Sequence, residues 1–274
     1  MAISAKDVMA LRRQSGLGMM ECKQALTETE GDLSKAVDLL RQKGLAKMDS
    51  RADRTSAEGR VESSVNEQST KASLVELNTE TDFTATNENF INMCKTVADE
   101  ALKQPAGEAQ KTNVITDAID AIRLTTKENA LFARGTVVGG ADNQQVGSYV
   151  HFNGNIGAVV EVTLEAGASV DGDLLRGICQ HIVANPITPV GILESDVPAE
   201  VIAKEKEIAK AQAMEQGKPE QIAEKMVTGK IRKYLEDNTL LLQLYIKDDK
   251  KRIKELLPKG VSITKFARFQ VGGN

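Results

Sequence analysis

The sequence predicts an α+β protein: a small helical domain, then a core of small antiparallel sheets and helices that occurs twice. Three observations predict this. Apolar residues recur at helical spacing in three short runs between residues 3 and 45. A strand–turn–strand–helix pattern in residues 55–140 returns at an offset of 85. A pair of charged helical runs then interrupts the second copy.

Ser4 is the expected N-cap of the first helix, with Asp7 where a capping-box acid would sit. Val8 and Leu11 follow at helical spacing, and Gly16-Leu17-Gly18 ends the helix with two residues able to take positive φ. Met19, Cys22, Ala25 and Leu26 share one side of a second helix. Gly31-Asp32 breaks and re-caps the chain, Leu33, Ala36, Val37 and Leu40 form a third stripe, and Gly44 is expected to close it. So small a bundle is marginal alone. Residues 46–60 are charged and small with no apolar period, and read as a linker or exposed segment.

In the core, Leu74-Val75-Glu76-Leu77 matches Val159-Val160-Glu161-Val162 at the offset of 85. The same offset lays Phe90, Met93, Cys94, Val97 and Ala98 over Leu175, Ile178, Cys179, Ile182 and Val183, and Val65 over Val150. The second hairpin turn is Phe152-Asn153-Gly154-Asn155, where Asn-Gly signals a type I′ turn. A further match at an offset of 134 lays Phe132-Ala133-Arg134 and Val137 over Phe266-Ala267-Arg268 and Val271, with Ile119 and Ile122 over Ile253 and Leu256 on a helical stripe. The offsets differ by 49, the length expected to be inserted between Val183 and Ile253. Shared order favours duplication over chance.

The inserted runs are 198–216, rich in Ala, Glu and Lys, and 219–236, with Gly217-Lys218-Pro219 between them. They read as an antiparallel helical hairpin, either projecting from the body or packed into it; the charged first arm favours projection. The expected domains are residues 1–54 (N-terminal domain and linker), 55–140 (first core half), 141–190 with 229–274 (second core half) and 191–228 (hairpin insertion).

A net charge of −4 argues against a non-specific nucleic-acid binder, which needs a basic face to displace counterions. The longest apolar runs, such as Ile156–Val160, are too short to span a bilayer, and the N-terminus lacks the apolar segment of a secretory signal. Three widely spaced cysteines fit a reducing cytoplasm, and two histidines are too few for a metal site. No phosphate-binding loop, dinucleotide fingerprint, nucleophile elbow or zinc-protease motif occurs. A Cys179–His181 nucleophile pair stays conceivable, although both Cys94 and Cys179 fall on apolar helix faces. One feature stands apart: Asn78-Thr79-Glu80-Thr81-Asp82-Phe83 puts one of the chain's few aromatic residues at an acidic turn just after a core strand.

Several motifs carry a resemblance. Leu11-Arg12-x-x-Ser15-Gly16-Leu17-Gly18-Met19-Met20-x-Cys22-Lys23-x-Ala25-Leu26 resembles the N-terminal signature of the bacterial elongation factor Ts family, and Glu80-Thr81-Asp82-Phe83 resembles its second signature. Gly147-Ser148-Tyr149-x-His151, His181-Ile182-x-Ala184-x-Pro186, Gly217-Lys218-Pro219 and Lys247-Asp248-Asp249 extend the likeness in order along essentially the whole chain. This chain departs in having Ser15 for the usual Thr, Thr84 after Phe83, Asn155 for a basic residue, and Thr126-Lys127 where an apolar residue and Gly commonly precede Glu128-Asn129.

The resemblance implies a ubiquitin-associated-like three-helix domain, a duplicated α+β core and a coiled-coil hairpin. It implies a cytoplasmic, non-enzymatic translation factor without cofactor. Such a factor binds elongation factor Tu in its GDP form and speeds GDP release without binding nucleotide itself. By the same carry-over, Thr81, Asp82, Phe83 and Thr84 form a wedge that disturbs the GTPase's Mg and phosphate site. Leu11, Arg12, Met19, Met20 and Lys23 form an N-terminal contact, and His151 a contact from the second core half. The residues alone leave other roles open: Phe83 as a cap on the local core with Asp82 as a helix N-cap, Leu11 as core, and His151 in a structural hydrogen bond. Rival readings are an adaptor for ubiquitin-like modules and an enzyme using Cys179 and His181. A homodimer or a 2:2 complex with the GTPase is left open.

Overall fold

The computed structural model describes residues 3–49, 54–215 and 219–273. Part of the expected linker, and Gly217-Lys218 of the expected hairpin turn, lie outside the described residues. The architecture is α+β, with small antiparallel sheets and ten α-helices among the described residues.

Helix α1 (Ala5–Ser15) starts at Ser4, whose hydroxyl accepts from the Asp7 N–H at 3.1 Å and donates to the Asp7 carboxylate at 2.6 Å. Gly16, at φ 68°, ends it. Helices α2 (Met19–Glu28) and α3 (Leu33–Asp49) close with it around Leu11, Cys22, Leu26, Ala36 and Leu40. Gly44 does not end α3, which runs through it to Asp49. A Cβ at position 44 would overlap Leu124 on a core helix, so this glycine permits close approach instead of a stop.

The first core half comprises β1 (Glu58–Val65), β2 (Lys71–Thr79), α4 (Asp82–Ala85), α5 (Glu88–Leu102), β3 (Gly107–Glu108), α6 (Asn113–Thr126) and β4 (Leu131–Gly139). Its sheet runs β1-β2-β4-β3, all antiparallel. Helices α5 and α6 cover one face, burying Val75, Leu77, Phe90, Val97, Ile115 and Val137. The second half begins with β5 (Gln144–Val150), β6 (Ile156–Leu164) and α7 (Gly172–Ala184). Helices α8 (Ala199–Glu215) and α9 (Glu220–Asn238) pack against each other, α9 continuing through residue 228. Then come β7 (Leu244–Tyr245), β8 (Asp248–Arg252), α10 (Ile253–Leu256) and β9 (Val261–Gln270). The second sheet runs β5-β6-β9, with α7 over Val160, Val162 and Ile263. Strand alternation gives each sheet a second apolar face. These faces meet through Val61, Leu74, Val138, Val146 and Val159.

The register fixes how the halves correspond. β2 and β6 match at the offset of 85, and the partner strand of each carries a bulge at the same place, Ala133 of β4 opposite Glu76-Leu77 and Thr264 of β9 opposite Glu161-Val162. Arg134 lies opposite Glu76 and Lys265 opposite Glu161, so the last strands correspond at 131, not 134. Phe132 therefore corresponds to Ile263, and Gly135 to Phe266. The Phe132 ring lies over Gly135, its Cζ 2.7 Å from where a Cβ would stand. The first half thus covers that sheet position with a ring from three residues upstream, and the sequence match followed the ring and not the register. The helical match also shifts: α6 has 14 residues, whereas α10 has 4.

Glu76 and Glu161 point into the space between the sheets. Glu76 is 2% exposed; its Oε2 accepts from Arg134 Nε at 2.8 Å and its Oε1 from the Gly272 N–H at 3.2 Å. Glu161 accepts from the Gly139 N–H at 2.7 Å, from Gln144 Nε2 at 3.0 Å and from Thr264 Oγ1 at 2.7 Å. Each buried carboxylate takes an N–H from the end of the other half's last strand. The two halves are clasped reciprocally.

Candidate partner interface

The Asp82-Phe83 turn is built by its neighbours. Thr81 is the N-cap of α4: its Oγ1 accepts from the Thr84 N–H at 3.2 Å. Asp82 is therefore the first helical residue and not the cap. Thr84 and Ala85 are buried, so a single helical turn directs residues 82 and 83 outward. Phe83 is 77% exposed and caps no core. A four-residue helix does not hold itself, because helix nucleation is unfavourable; its surroundings must hold it.

The holding group is one that sequence patterning missed. Glu128, just past α6, accepts from Thr79 Oγ1 at 3.0 Å, from the Thr81 N–H at 3.2 Å and from Thr81 Oγ1 at 2.7 Å. Burial alone would raise the Glu128 carboxyl, but hydrogen bonds from Thr81, Thr84 and Thr79 outweigh it and hold the group below its ordinary value. In return Glu80 accepts from the Asn129 N–H at 2.7 Å and pairs with Arg54 at 3.2 Å. Lys127 makes the reversal that brings Glu128 round, at φ 60°. This left-handed conformation accounts for the glycine that the resembled family commonly carries there. No helical or strand period marks a residue 47 positions from Thr81. Only the Glu-Asn pair of the resemblance pointed to it.

In the N-terminal helices, Leu11 is fully buried in the bundle. Arg12, Met19, Met20 and Lys23 are exposed, Met20 at 77%. Burial of Cys22, Ala25 and Leu26 turns them outward. The bundle sits on α6: Arg41 pairs with Asp117, and Glu21 with Lys127 at 3.8 Å. The C-terminal end of α6 thus touches both the α2 segment carrying Met20 and, through Glu128, the Phe83 turn.

His151 is half-buried, its Nδ1 3.0 Å from Tyr149 Oη. Beside it lies Phe152, 87% exposed, with ring centroids 4.5 Å apart. The expected type I′ turn is absent: the Gly154 N–H closes on the His151 carbonyl at 2.8 Å and only Gly154 takes positive φ. The Val61 N–H donates to Gly154, close to where Glu58 pairs with Thr79. His151 and Phe152 therefore lie toward the same end of the β1–β2 ladder as Phe83. Phe152 carries no periodic signal, and the hairpin pattern marks it only as a turn residue.

Nucleophilic chemistry finds no support. Burial pushes the Cys94 and Cys179 thiols up, Glu62 adding to the effect at Cys94. His181 is fully buried; its Nδ1 accepts from the Ile246 N–H at 3.2 Å, leaving Nε2 to donate to Gln243 Oε1 at 2.9 Å. Gln243 Nε2 donates onward to the carbonyls of Ile187 and Asp237. The pair ties α7 to the base of the hairpin. Burial lowers the His181 pKa against a smaller upward pull from Gln243. The folded chain therefore refuses a proton that the unfolded chain binds below about pH 6.5. Stability from this group is expected in full above that pH and to fall as pH drops toward the depressed value. Urea unfolding of the wild type and His181→Gln at about pH 7.5 and 5.5 checks this. The variant should have a shallower decline, and identical declines would assign the proton elsewhere. Among the described residues no His, Cys, Asp and Glu cluster could hold a metal ion, and no helix is long and apolar enough to cross a membrane.

A family model described as elongation factor TS matches residues 80–273. The chain is 41% identical to elongation factor Ts of Clostridium perfringens strain SM101, covering 98% of this chain and 93% of that protein. It is 41% identical to that of Teredinibacter turnerae, covering 99% and 92%, and 37% identical to that of Prosthecochloris aestuarii, covering 98% and 99%. The three N-terminal helices precede the family match but fall within the span shared with these relatives. With this likeness along almost its entire length, the chain belongs to the elongation factor Ts family, the translation elongation factors that act as nucleotide exchange factors for elongation factor Tu.

Proposed function

We propose that this chain releases GDP from elongation factor Tu by pressing Phe83 into the GTPase, with Thr81, Asp82 and Thr84 shaping the wedge. The observation that carries this reading is an aromatic side chain held 77% exposed on a clamped turn. Phe83 supplies a rigid apolar body, and Asp82 a polar contact that orients it. Arg12, Met19, Met20 and Lys23 add a second contact from the N-terminal helices, seated on Leu11, and His151 a third from the second core half. Two methionines suit an adaptable surface.

The action is linkage. An exchange factor stabilises the nucleotide-free GTPase, so it weakens nucleotide binding by the same factor. Loosening the Mg ion that neutralises phosphate charge is an effective way to do so. Such a protein needs no nucleotide pocket, cofactor or catalytic residue of its own, and it works in the cytoplasm. The α1–α3 bundle reads as a ubiquitin-associated-like module and the α8–α9 pair as a coiled-coil hairpin, available to the GTPase or to a second copy in a 2:2 complex. Stopped-flow release of a fluorescent GDP from elongation factor Tu, with and without this protein, tests the reading. Release is expected to accelerate; an unchanged rate would leave the adaptor reading in its place.

A further inference from the structure

We infer that Glu128 is a positioning residue for nucleotide exchange: its carboxylate fixes the α4 turn in the geometry that presents Phe83. This rests on the wedge reading above. Three donors converge on the carboxylate, namely the Thr79 hydroxyl, the Thr81 N–H and the Thr81 hydroxyl. The Thr81 hydroxyl is at the same time the acceptor for the Thr84 N–H, the cap that starts α4. The chain of bonds therefore runs from Glu128 through Thr81 to the residue after Phe83. An acceptor-only group suits this site, and an ionised carboxylate is one.

Glutamine would have nearly the same shape but the wrong hydrogens. The Thr81 N–H can only donate, so the amide oxygen must stay opposite it. The amide NH2 then faces the Thr81 hydroxyl, which must turn its own hydrogen away. The cap on α4 is weakened without removing any apolar contact. Glu128 also adjoins Lys127, which pairs with Glu21 on α2, next to Met20. One reversal after α6 thus serves both exposed segments.

The test is a double-mutant cycle in GDP release from elongation factor Tu, combined with amide hydrogen exchange. Glu128→Gln is expected to slow maximal exchange about tenfold. Phe83→Ala and the double variant should match each other within about twofold, because Glu128 acts through Phe83. Additive losses would overturn the inference, as would a wild-type rate in Glu128→Gln beside a slow Phe83→Ala. A normal rate in Phe83→Ala would instead refute the wedge. Hydrogen exchange decides independently of the GTPase: protection of the Thr84 amide should fall about tenfold in Glu128→Gln, with α5 and α6 unchanged. Unaltered protection of the Thr84 amide would overturn the inference whatever the GTPase assay gives. Loss of protection throughout α5 and α6 would overturn it as well, by making Glu128 a general stabiliser.

Discussion

Phe83→Ala is expected to slow GDP release from elongation factor Tu by about tenfold or more, roughly 1.4 kcal/mol in the barrier. The size follows from what the side chain does in the free protein, which is little. Phe83 is 77% exposed, so its removal leaves no internal cavity, and stability should stay within about 0.5 kcal/mol. The turn keeps its shape, because the cap is Thr81 and the anchors are Thr84 and Ala85. What is lost is an aromatic body able to fill a pocket on another protein, and buried aromatic anchors dominate interface energetics. Stopped-flow exchange and thermal unfolding on the same preparation separate the two effects. A normal exchange rate would move the wedge elsewhere; a large drop in melting temperature would mean that Phe83 supports the fold.

Glu76→Ala is expected to destabilise the protein by about 1.5–3 kcal/mol, the worth of hydrogen bonds to a charged group, because the partner Arg134 is only half-buried. The Glu76 carboxylate is nearly inaccessible, and two donors depend on it. Arg134 would keep some support, since its Nη2 also donates to the Gln270 and Gly273 carbonyls and its guanidinium lies 4.7 Å over the Phe269 ring. The Gly272 N–H would lose its acceptor too, but Gly272 is exposed and water can replace the carboxylate there. Urea unfolding monitored by circular dichroism measures the loss. A change below about 1 kcal/mol would mean that water reaches the pair. Glu161→Ala, which takes the acceptor from the buried Gly139 N–H, should act in the same direction.

How far these features were legible in the sequence depends on which interactions are local. The Ser4–Asp7 cap, the three helical stripes and the offset of 85 between β2 and β6 all follow from sequence spacing, and all are present, except that Met19 and Leu33 leave their stripes for the surface. Gly44 misled because glycine signals a helix end, whereas here it answers to Leu124, 80 positions away. The sequence match of the last strands falls three residues out of register because phenylalanine rings are conspicuous and a bulge is silent. At the wedge, Asp82-Phe83 was conspicuous for its composition, and Thr81 was the better cap because its hydroxyl reaches the N–H three residues on. Glu128 had no local signature at all. Glu76 and Glu161 did have one, an acid set in an apolar run at the same place in each copy, but alternation alone cannot say that both point into a dry space.

The reciprocal clasp has a consequence for how this chain comes off the ribosome. Glu76 and the Gly272 N–H that it accepts are 196 positions apart. Synthesis reaches Val61 and Leu74 long before the β6 and β9 faces that cover them. A nascent first half can pair β1 with β2 and pack α5 and α6, since those contacts are near in sequence. It cannot dry its second face, and its central carboxylate, though paired with Arg134, still lacks the Gly272 N–H. Completion waits for the final strand, so the slow, high-separation step comes last and closes both halves together. Until then the emerging chain presents an uncovered apolar sheet with the Glu76–Arg134 pair in its middle, and that polar pair disfavours premature burial against a neighbouring chain.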